Sequence, residues 1–232
     1  MKFKTNVKDI ILQTYNVKSF RFAKPASFNY KAGQFMFITI KSEKRKMTKH
    51  FTISSSPTER DFIEFTKKLT GSKFSNALEA LKLADWAEID APYGDFTFEG
   101  EYKKMGMLSG GIGITPLRSI CKYCTDMRLE TKISLLYSNH SERDIIFRKD
   151  FEEMQERNKS LKVIFTVSEP SENWNGQTGR INSEMIKREI PDYIERLFYT
   201  SGPPAMVDTM VNLLKDLGVP KKQIKKEEFP GY

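Results

Sequence analysis

The sequence is poor in residues that hold metals. Among its 232 residues are two cysteines and two histidines. Two thiols cannot supply the four ligands of an iron–sulfur cluster or the disulfide framework of a small secreted domain. The histidines, His50 and His140, are isolated in the sequence, so we expect no metal site. Any redox chemistry of this chain therefore requires a bound organic cofactor.

Long apolar runs are also missing. The stretch from Met1 to Gln13 mixes charged and apolar residues and has no core like that of a signal peptide. The longest nearly apolar stretch, Phe35 to Ile40, is far shorter than the roughly 20 residues that cross a bilayer. We therefore expect a cytoplasmic protein that does not insert into a membrane.

What the sequence does have is apolar bulk and positive charge. Hydrophobic residues make up 39% of the chain and 17 residues are phenylalanine, which predicts a folded protein with a substantial core. The length suits one large domain or two of about 100 residues each. The formal net charge of +8 makes an acidic partner a candidate.

The N-terminal half has the pattern of a small antiparallel barrel. Short runs rich in Phe, Ile, Val and Thr are separated by Pro, Gly, Ser and Asn, as in strands joined by tight turns. A helix from Asn76 to Leu83, with Ser75 as its N-cap, interrupts them. The predicted strands are residues 3–7, 17–22, 34–40, 51–54, 62–68, 86–90 and 96–98.

Beyond a polar stretch at residues 99–104, strands and helices alternate. Such alternation indicates a parallel sheet that is covered by helices on both faces. We place the domain boundary near Gly100, which gives domains of residues 1–100 and 101–232. The predicted strands are residues 105–108, 132–137, 161–167 and 197–200, and the predicted helices are residues 116–127, 148–157, 183–189 and 205–217.

Two turns rich in Gly and Pro follow predicted strands of the second half. In the first, at residues 109–116, a strand runs into three glycines, and Thr115 and Pro116 stand where a helix N-cap and first helical residue belong. Such a turn presents backbone N–H groups to a pyrophosphate, although it also fits an ordinary strand-to-helix connection. The second turn, at residues 201–206, would lie at the same edge of the sheet and face the same ligand.

Five motifs, in order, resemble those of the ferredoxin–NAD(P) reductase family of flavoenzymes. Residues 49–57 (KHFTISSSP) and 71–78 (GSKFSNAL) resemble its flavin motifs, and residues 92–96 (PYGDF) its Gly-Pro-x-Gly-x-Phe turn. Residues 110–116 (GGIGITP) resemble its nicotinamide motif, and residues 201–206 (SGPPAM) its Cys-Gly-Pro-Pro-x-Met motif. The resemblance covers nearly the whole chain. It implies a six-stranded antiparallel β-barrel that binds the flavin, followed by an α/β nucleotide-binding domain with a parallel sheet.

The resemblance implies roles for residues of the flavin motifs. Phe51 would lie against the isoalloxazine ring, Thr52 would hydrogen-bond the flavin N5 that receives the hydride, and Lys49 would neutralise the phosphates. Ser75 would cap the phosphates at a helix N-terminus. Lys49 stands where the family usually has Arg, which loosens phosphate binding. The other flavin-binding residues that we expect are Ile53, Thr66, Lys68, Gly71, Lys73 and Phe74.

The resemblance also implies a nicotinamide site. Thr115 and Ser201 would position the nicotinamide against the flavin, so the catalytic candidates are Thr52, Thr115 and Ser201. An aromatic residue of the tail, either Phe229 or Tyr232, would shield the open flavin face. The other nicotinamide-binding residues that we expect are Gly110, Gly111, Gly113, Pro116, Gly202, Pro203, Pro204 and Met206.

The implied enzyme is an FAD-dependent NAD(P)H oxidoreductase. It would take a hydride from NADH or NADPH and pass electrons to a separate carrier such as ferredoxin or flavodoxin. FAD is expected because the family mostly uses it, and Glu169 favours NADH because an acidic group repels the extra phosphate of NADPH. Two alternatives stay open: a flavin or small-molecule reductase, and an electron-transfer subunit of a larger oxidoreductase complex.

Basic residues form two clusters in the sequence. The resemblance places both beside the flavin edge, where an acidic carrier protein would be steered in, although a solvated loop and a charged tail would have the same composition. No recognised nucleic-acid motif accompanies them, so we expect no nucleic-acid partner. The first cluster is Lys41, Lys44, Arg45, Lys46 and Lys49, and the second is Lys221, Lys222, Lys225 and Lys226.

Overall fold

The computed structural model describes residues 1–42 and 45–229. Two of the predicted residues, Lys44 and Tyr232, lie outside the described residues. The described strands form two six-stranded sheets, one antiparallel and one parallel. No helix in this part of the chain is both long and apolar enough to cross a membrane.

The antiparallel sheet belongs to the N-terminal half. Its strands are β1 (Lys2–Thr14), β2 (Val17–Phe22), β3 (Phe35–Ser42), β4 (Arg45–Thr52), β5 (Ile63–Lys68) and β6 (Trp86–Tyr93). They pair in the order β4-β3-β6-β1-β2-β5, and the helix α1 (Lys73–Glu79) lies between β5 and β6 in the chain. Burial alternates along β3, where Met36, Ile38 and Ile40 are fully buried and Phe37 is exposed. One face of the sheet therefore packs on a core and the other faces solvent.

Stacked phenylalanines close the barrel between its edge strands, β4 and β5. The ring centroid of Phe51 lies 4.7 Å from that of Phe65, with 12° between the ring planes. Phe65 also stacks on Phe20 at 5.2 Å. Beyond the strand ends, the backbone N–H of Ser54 donates to the Glu64 carbonyl at 2.8 Å. The sheet thereby wraps around a single apolar core.

The parallel sheet belongs to the C-terminal half. Its strands are β7 (Lys104–Gly110), β8 (Lys132–Asn139), β9 (Leu161–Val167), β10 (Gln177–Thr178), β11 (Leu197–Gly202) and β12 (Ile224–Glu228), and its helices are α2 (Ile114–Asp126), α3 (Arg148–Arg157), α4 (Ser183–Glu189) and α5 (Pro204–Asp216). The strands pair in the order β10-β9-β8-β7-β11-β12. Separate apolar clusters line the two faces, since Met107 packs in one and Leu108 in the other. The predicted fold class is confirmed.

Several predicted strand positions are wrong. The strand predicted at residues 51–54 is β4, which begins at Arg45 and ends at Thr52, because the basic segment before the flavin motif pairs with β3. Residues 96–98 form no strand, and Phe96 and Phe98 instead pack beneath the parallel sheet. The short β10 and the charged β12 were not predicted, since neither has an apolar pattern of its own.

Both predicted helix caps are wrong. The N-cap of α1 is Ser72, whose hydroxyl accepts from the Ser75 N–H at 3.3 Å, so Ser75 lies inside the helix. The N-cap of α2 is Gly113, because a 3-10 turn at Gly111–Gly113 leads directly into the helix and places Thr115 within it.

We propose that the domain boundary lies near Gly100, between the end of β6 and the start of β7.

Gly106, in β7, has no room for a side chain. A Cβ atom at this position would lie 2.2 Å from the Phe198 ring of the neighbouring strand β11. We expect Gly106→Ala to lower the free energy of unfolding by about 1–3 kcal/mol in urea denaturation, because the added methyl group displaces a buried ring. In a Phe198→Leu background, the same substitution should lower the free energy of unfolding much less. An equal cost in both backgrounds would contradict the steric explanation.

Candidate active site

A cleft of about 530 Å³ lies between the barrel and the parallel sheet. Strands β4 and β5 and the helix α1 form one wall, and the start of α2 and the end of β12 form the other. The predicted residues that line the cleft are Lys49, Phe51, Thr52, Thr66, Lys73, Phe74, Thr115 and Phe229. The residues that line it without having been predicted are Phe35, His50, Lys67, Thr70, Ser72, Ile112, Glu227 and Glu228. The structure therefore brings both flavin motifs, the nicotinamide turn and the tail to one place.

The barrel wall of the cleft is rigid. The Phe51 ring packs between Phe65, at 4.7 Å, and Phe74, at 5.7 Å, so its orientation is fixed by the core. The Thr66 hydroxyl lies 2.9 Å from the hydroxyl of Ser54, and this contact ties β5 to the segment that follows β4. Thr52 ends β4 beside these residues and is nearly buried. A planar ring system placed against this wall would meet fixed side chains.

Three lysines line the cleft, Lys49, Lys67 and Lys73. Burial and the nearby Lys49 ammonium lower the pKa of Lys67. Burial disfavours the charged ammonium and the neighbouring Lys49 charge adds to this effect, so an anionic ligand would stabilise both ammonium groups. The wall thus fits a flat, apolar ring that carries phosphate groups, and this is the chemical character of FAD. Lys67 was not predicted; its neighbour Lys68 was predicted instead.

A second cavity, of about 670 Å³, shares Ile112 with the cleft. The predicted residues that line it are Gly110, Gly111, Pro203, Met206 and Lys68. Lys68 was expected to face the flavin, but it lines this second cavity, because β5 ends at Lys68 and leaves the cleft there. The cavity lies at the carboxyl ends of β7, β8 and β11, where ligands of open α/β sheets bind.

The two glycine-rich turns pack directly against each other. A Cβ atom on Gly113 would lie 2.1 Å from the Ser201 carbonyl oxygen. The Ser201 hydroxyl donates to the Gly113 carbonyl at 2.7 Å, and the Ser109 hydroxyl donates to the Ser201 carbonyl at 3.1 Å. Ser201 is fully buried, and the described residues that line either cavity do not include it. Its hydroxyl joins the two turns, and its predicted catalytic role stays a prediction.

Other predicted residues also lie behind the cavity walls. Ser75 is fully buried, and its hydroxyl accepts from the Thr70 N–H at 3.2 Å. Gly71 forms the turn before α1 at a φ of +69°. The predicted residues that line neither cavity, within the described chain, are Ile53, Gly71, Ser75, Gly113, Pro116, Ser201, Gly202 and Pro204.

Sequence reasoning missed Glu227. It pairs with Ser201 in the parallel sheet and lines the cleft. Its Oε2 atom is buried and has no hydrogen-bond partner among the described residues. Burial raises the pKa of Glu227 to about 7. Only the register of β12 reveals this residue, because the run Lys225 to Glu228 gives no sign of which charged group faces inward.

The second basic cluster does not flank the cleft as predicted. Lys221 and Lys222 lie in a turn before β12, at the end of the strand opposite the cleft. Lys225 lies 3.1 Å from the Tyr199 hydroxyl, and its ammonium also sits over the Tyr199 ring. Lys226 is bound by Glu228 at 2.6 Å. The parallel pairing of β12 with β11, which composition does not show, separates this cluster from the site.

No metal centre is visible in residues 1–42 and 45–229. These residues contain no group of three or more His, Cys, Asp or Glu side chains that could hold a metal ion. Both cysteines, Cys121 and Cys124, are buried in α2, and burial raises the pKa of the Cys124 thiol to about 12.

Two family models match the chain. Residues 4–98 match the model of the oxidoreductase FAD-binding domain, and residues 107–212 match that of the oxidoreductase NAD-binding domain. The glycine betaine monooxygenase reductase subunit of Chromohalobacter salexigens is 29% identical over 228 residues, which are 95% of this chain and 62% of that protein. NADH-cytochrome b5 reductase 2 of Danio rerio is 28% identical over 245 residues, covering 90% of this chain and 79% of that protein.

The solved structures agree on the fold. The cytochrome b5 reductase domain of Ulva prolifera nitrate reductase superposes with a TM-score of 0.86 at 25% identity, over 98% of this chain and 97% of that one. A ferredoxin NADP+ reductase from Neisseria gonorrhoeae, with bound FAD and NADP, gives a TM-score of 0.82 at 20% identity, over 98% of each chain.

The chain belongs to the FAD/NAD(P)-binding reductase family. It consists of an oxidoreductase FAD-binding domain followed by an oxidoreductase NAD-binding domain. The chain spans about three fifths of the length of the glycine betaine monooxygenase reductase subunits that it matches, 62% in each case.

Titration of Glu227 should make stability depend on pH. Its pKa of about 7 in the folded chain exceeds its ordinary value of 4.5, so its contribution to stability is full below the ordinary pKa and is lost as the pH rises through 7. We expect the free energy of unfolding of the flavin-free protein to fall by up to about 2 kcal/mol between about pH 5 and about pH 8. Urea denaturation across this range measures the effect.

The matched variants are Glu227→Gln and Glu228→Gln. Glu227→Gln should flatten the pH profile of the unfolding free energy, whereas Glu228→Gln, on the neighbouring and exposed residue, should leave it as in the wild type. A profile that Glu227→Gln leaves unchanged would assign the pH dependence to another group.

Proposed function

We propose that the chain takes electrons from NADH through FAD and delivers them to a separate, acidic electron-carrier protein. One observation carries the proposal: two cavities meet at Ile112, one walled by aromatic rings and lysines, the other by glycine turns at the ends of parallel strands. The first suits a flavin nucleotide and the second a nicotinamide nucleotide. FAD, when bound, accepts two electrons from a reduced nicotinamide and releases them one at a time.

The residues of the barrel wall would hold the flavin nucleotide. Lys49, Lys67 and Lys73 supply positive charge for its phosphates, and the fixed ring of Phe51 offers a flat apolar contact. Thr52 presents a hydroxyl at the end of β4. We assign to Thr52 the hydrogen bond to the reacting edge of the ring.

The residues of the opposite wall would position the nicotinamide and exclude water. Thr115 lines the cleft within the first turn of α2, with its hydroxyl 3.3 Å from the Ile112 carbonyl. Phe229 lines the cleft, and its backbone N–H donates to the Gly202 carbonyl at 2.8 Å. Phe229 is therefore our candidate for the aromatic residue that shields the ring and moves aside for the nicotinamide. Glu227 lies beside it and can hold or release a proton near neutral pH.

NADH is the proposed electron donor. His140 and Ser168 line the second cavity, and Glu169 lies next to them with a carboxylate oxygen 3.2 Å from His140 Nε2. This carboxylate would repel the additional phosphate of NADPH. Among the relatives, the cytochrome b5 reductases and the quinone reductase subunits are named for NADH.

Anaerobic flavin reduction tests this proposal. The protein, incubated with FAD, should show a flavin spectrum that NADH bleaches faster than NADPH. Glu169→Arg should narrow the ratio of the NADH and NADPH reduction rates by about tenfold, because replacing a carboxylate by a cation near the additional phosphate is worth about 1–2 kcal/mol at an exposed site. Glu172→Arg is the control and should leave the preference unchanged, because Glu172 lies on the same exposed loop and, unlike Glu169, forms no ion pair with a cavity residue within the described chain. A protein that binds no flavin would overturn the proposed function.

Carrier docking is proposed on the outer face of β4, β3 and β6. Four aromatic side chains, Phe35, Phe37, His50 and Tyr93, form what we call the aromatic surface, with Phe37 36% exposed and Tyr93 39% exposed. Phe35 and His50 also line the cleft, so the aromatic surface continues out of it. Alternation along β3 and β4 places Lys41 and Lys46 on the same face as this surface, where both lie over the Trp86 ring, at 4.7 and 5.0 Å, and Lys49 lines the cleft beside it. Glu88 and Asp90 of β6 share that face, and Lys2 pairs with Glu88 at 2.9 Å. An apolar surface with lysines at one edge suits an acidic partner.

Charge reversal tests the docking surface. Lys41→Glu with Lys46→Glu should reduce the rate of electron transfer to an acidic ferredoxin by about tenfold or more at low salt, and the difference should shrink at high salt. Reduction of a small dye should stay within about twofold of the wild type. Lys149→Glu with Lys187→Glu, on exposed positions of α3 and α4, is the control for net charge. Equal losses with ferredoxin and with the dye would instead favour a small-molecule acceptor.

A further inference from the structure

Two side chains of α2 reach from the parallel-sheet half into the barrel. Arg118 donates from Nη1 to the Ser54 carbonyl at 3.2 Å, and Ser119 donates from its hydroxyl to the Ser55 carbonyl at 2.6 Å. Ser54 and Ser55 follow Thr52 by two and three positions and are fully buried. The helix that begins at the nicotinamide turn is therefore bonded to the backbone that continues the flavin motif.

Arg118 is the centre of a buried ionic group that spans both halves. Its guanidinium forms an ion pair with Glu59 of the barrel through both carboxylate oxygens, one of them at 3.1 Å. It also binds Asp150 of α3 from Nε at 2.9 Å and from Nη2 at 2.6 Å. Glu59 in turn accepts from the Ser56 N–H at 2.7 Å. The Arg118 side chain is 4% exposed, so water does not replace these partners.

Only arginine satisfies this geometry. Its planar fork directs N–H donors at Ser54, Glu59 and Asp150 at the same time. A lysine ammonium has three donors at a single point and cannot span acceptors on three separate elements. Replacement by lysine would keep the charge and lose the fixed separation.

The same face of α2 carries Thr115. Thr115 precedes Arg118 and Ser119 by three and four residues, which is one helical turn, so the three side chains are neighbours along the helix. Thr115 lines the cleft opposite Thr52. The bonds from Arg118 and Ser119 to Ser54 and Ser55 therefore set the separation between Thr115 and Thr52.

We propose that Arg118 is a positioning residue for electron transfer from the nicotinamide to the flavin, and that Ser119 supports it with a second bond between the two halves. The inference rests on the proposed function. Arg118 touches neither ligand site among the described residues. It acts by holding the two halves together, so that the separation between Thr115 on one wall and Thr52 on the other stays constant. A misplacement of about 1 Å at a reacting centre costs about 100-fold in rate.

The test uses the FAD-loaded full chain and the variant Arg118→Lys. We expect the flavin reduction rate at saturating NADH to fall by about 10- to 100-fold, with the half-saturating NADH concentration changed by less than about threefold. The long-wavelength absorption that appears when NAD+ is added to the reduced protein reports ring contact, and it should weaken. Flavin retention should stay as in the wild type.

Arg196→Lys is the matched control. Arg196 is equally buried and binds Asp192 at 2.6 Å and the Met105 carbonyl at 2.8 Å, but all of its partners belong to the parallel-sheet half, at the strand ends away from the cleft. It should lower the unfolding temperature without changing the rate or the absorption. A comparable loss of rate in Arg196→Lys, or a wild-type rate in Arg118→Lys, would overturn the proposal.

Two further measurements distinguish a positioning role of Arg118 from loss of folding and from failure of the proposed function. Ser119→Ala removes one cross-domain bond without touching a charge, and it should lower the reduction rate by about three- to tenfold. Calorimetry requires no activity: Arg118→Lys should split a single unfolding transition into two, and Arg196→Lys should not. If NADH fails to reduce the wild-type flavin, the proposed function fails, and calorimetry still decides whether Arg118 couples the halves. A single transition in Arg118→Lys would count against the coupling.

Discussion

The parallel-sheet wall of the cleft depends on two turns whose backbones pack in direct contact. Gly113 lies so close to the Ser201 carbonyl that a Cβ atom would stand 2.1 Å from it, and the Ser201 hydroxyl closes the contact at 2.7 Å. This contact fixes the first turn of α2 against the end of β11. Glu227 is placed by pairing with Ser201, and Phe229 by its bond to Gly202. The residues that the parallel-sheet half contributes to the cleft are thus arranged around this contact between Gly113 and Ser201.

The two walls of the cleft differ in charge. Lys49, Lys67 and Lys73 stand on the barrel side, whereas Glu227 and Glu228 stand on the other. A ligand with an anionic end and a neutral ring is oriented by this division, because its phosphates are drawn to the lysines. The depressed pKa of Lys67 and the raised pKa of Glu227 show that burial has a cost on both sides. The cleft of the folded protein is thus electrostatically prepared for a ligand that supplies negative charge at one end.

Local patterns predicted an antiparallel barrel followed by a parallel-sheet domain, because strand periodicity and glycine-rich turns are properties of neighbouring residues, whereas the number of barrel strands came from the family resemblance. Features that depend on contacts between residues far apart in the chain could not be predicted from these patterns. Arg118 and Glu59 are 59 residues apart in the chain, and no spacing rule connects them. Lys67 and Lys68 are adjacent in β5, yet Lys67 lines the cleft and Lys68 lines the second cavity, and nothing in the local sequence distinguishes them. Glu227 was hidden for the same reason, since only the parallel pairing of β12 distinguishes it from the other charged residues of the tail.

The positions of the two cavities and the aromatic surface bear on how the proposed donor and acceptor share one flavin. The second cavity meets the cleft at Ile112, whereas the aromatic surface meets it at Phe35 and His50. The nicotinamide nucleotide and the carrier protein would therefore approach from different sides. Exposed rings such as Phe37 and Tyr93 carry a solubility cost that a covered interface removes. In the proposed function, the bonds from Arg118 to Ser54 and Glu59 would keep the two halves in one orientation, and the nucleotide and the carrier protein would then keep separate routes to the flavin.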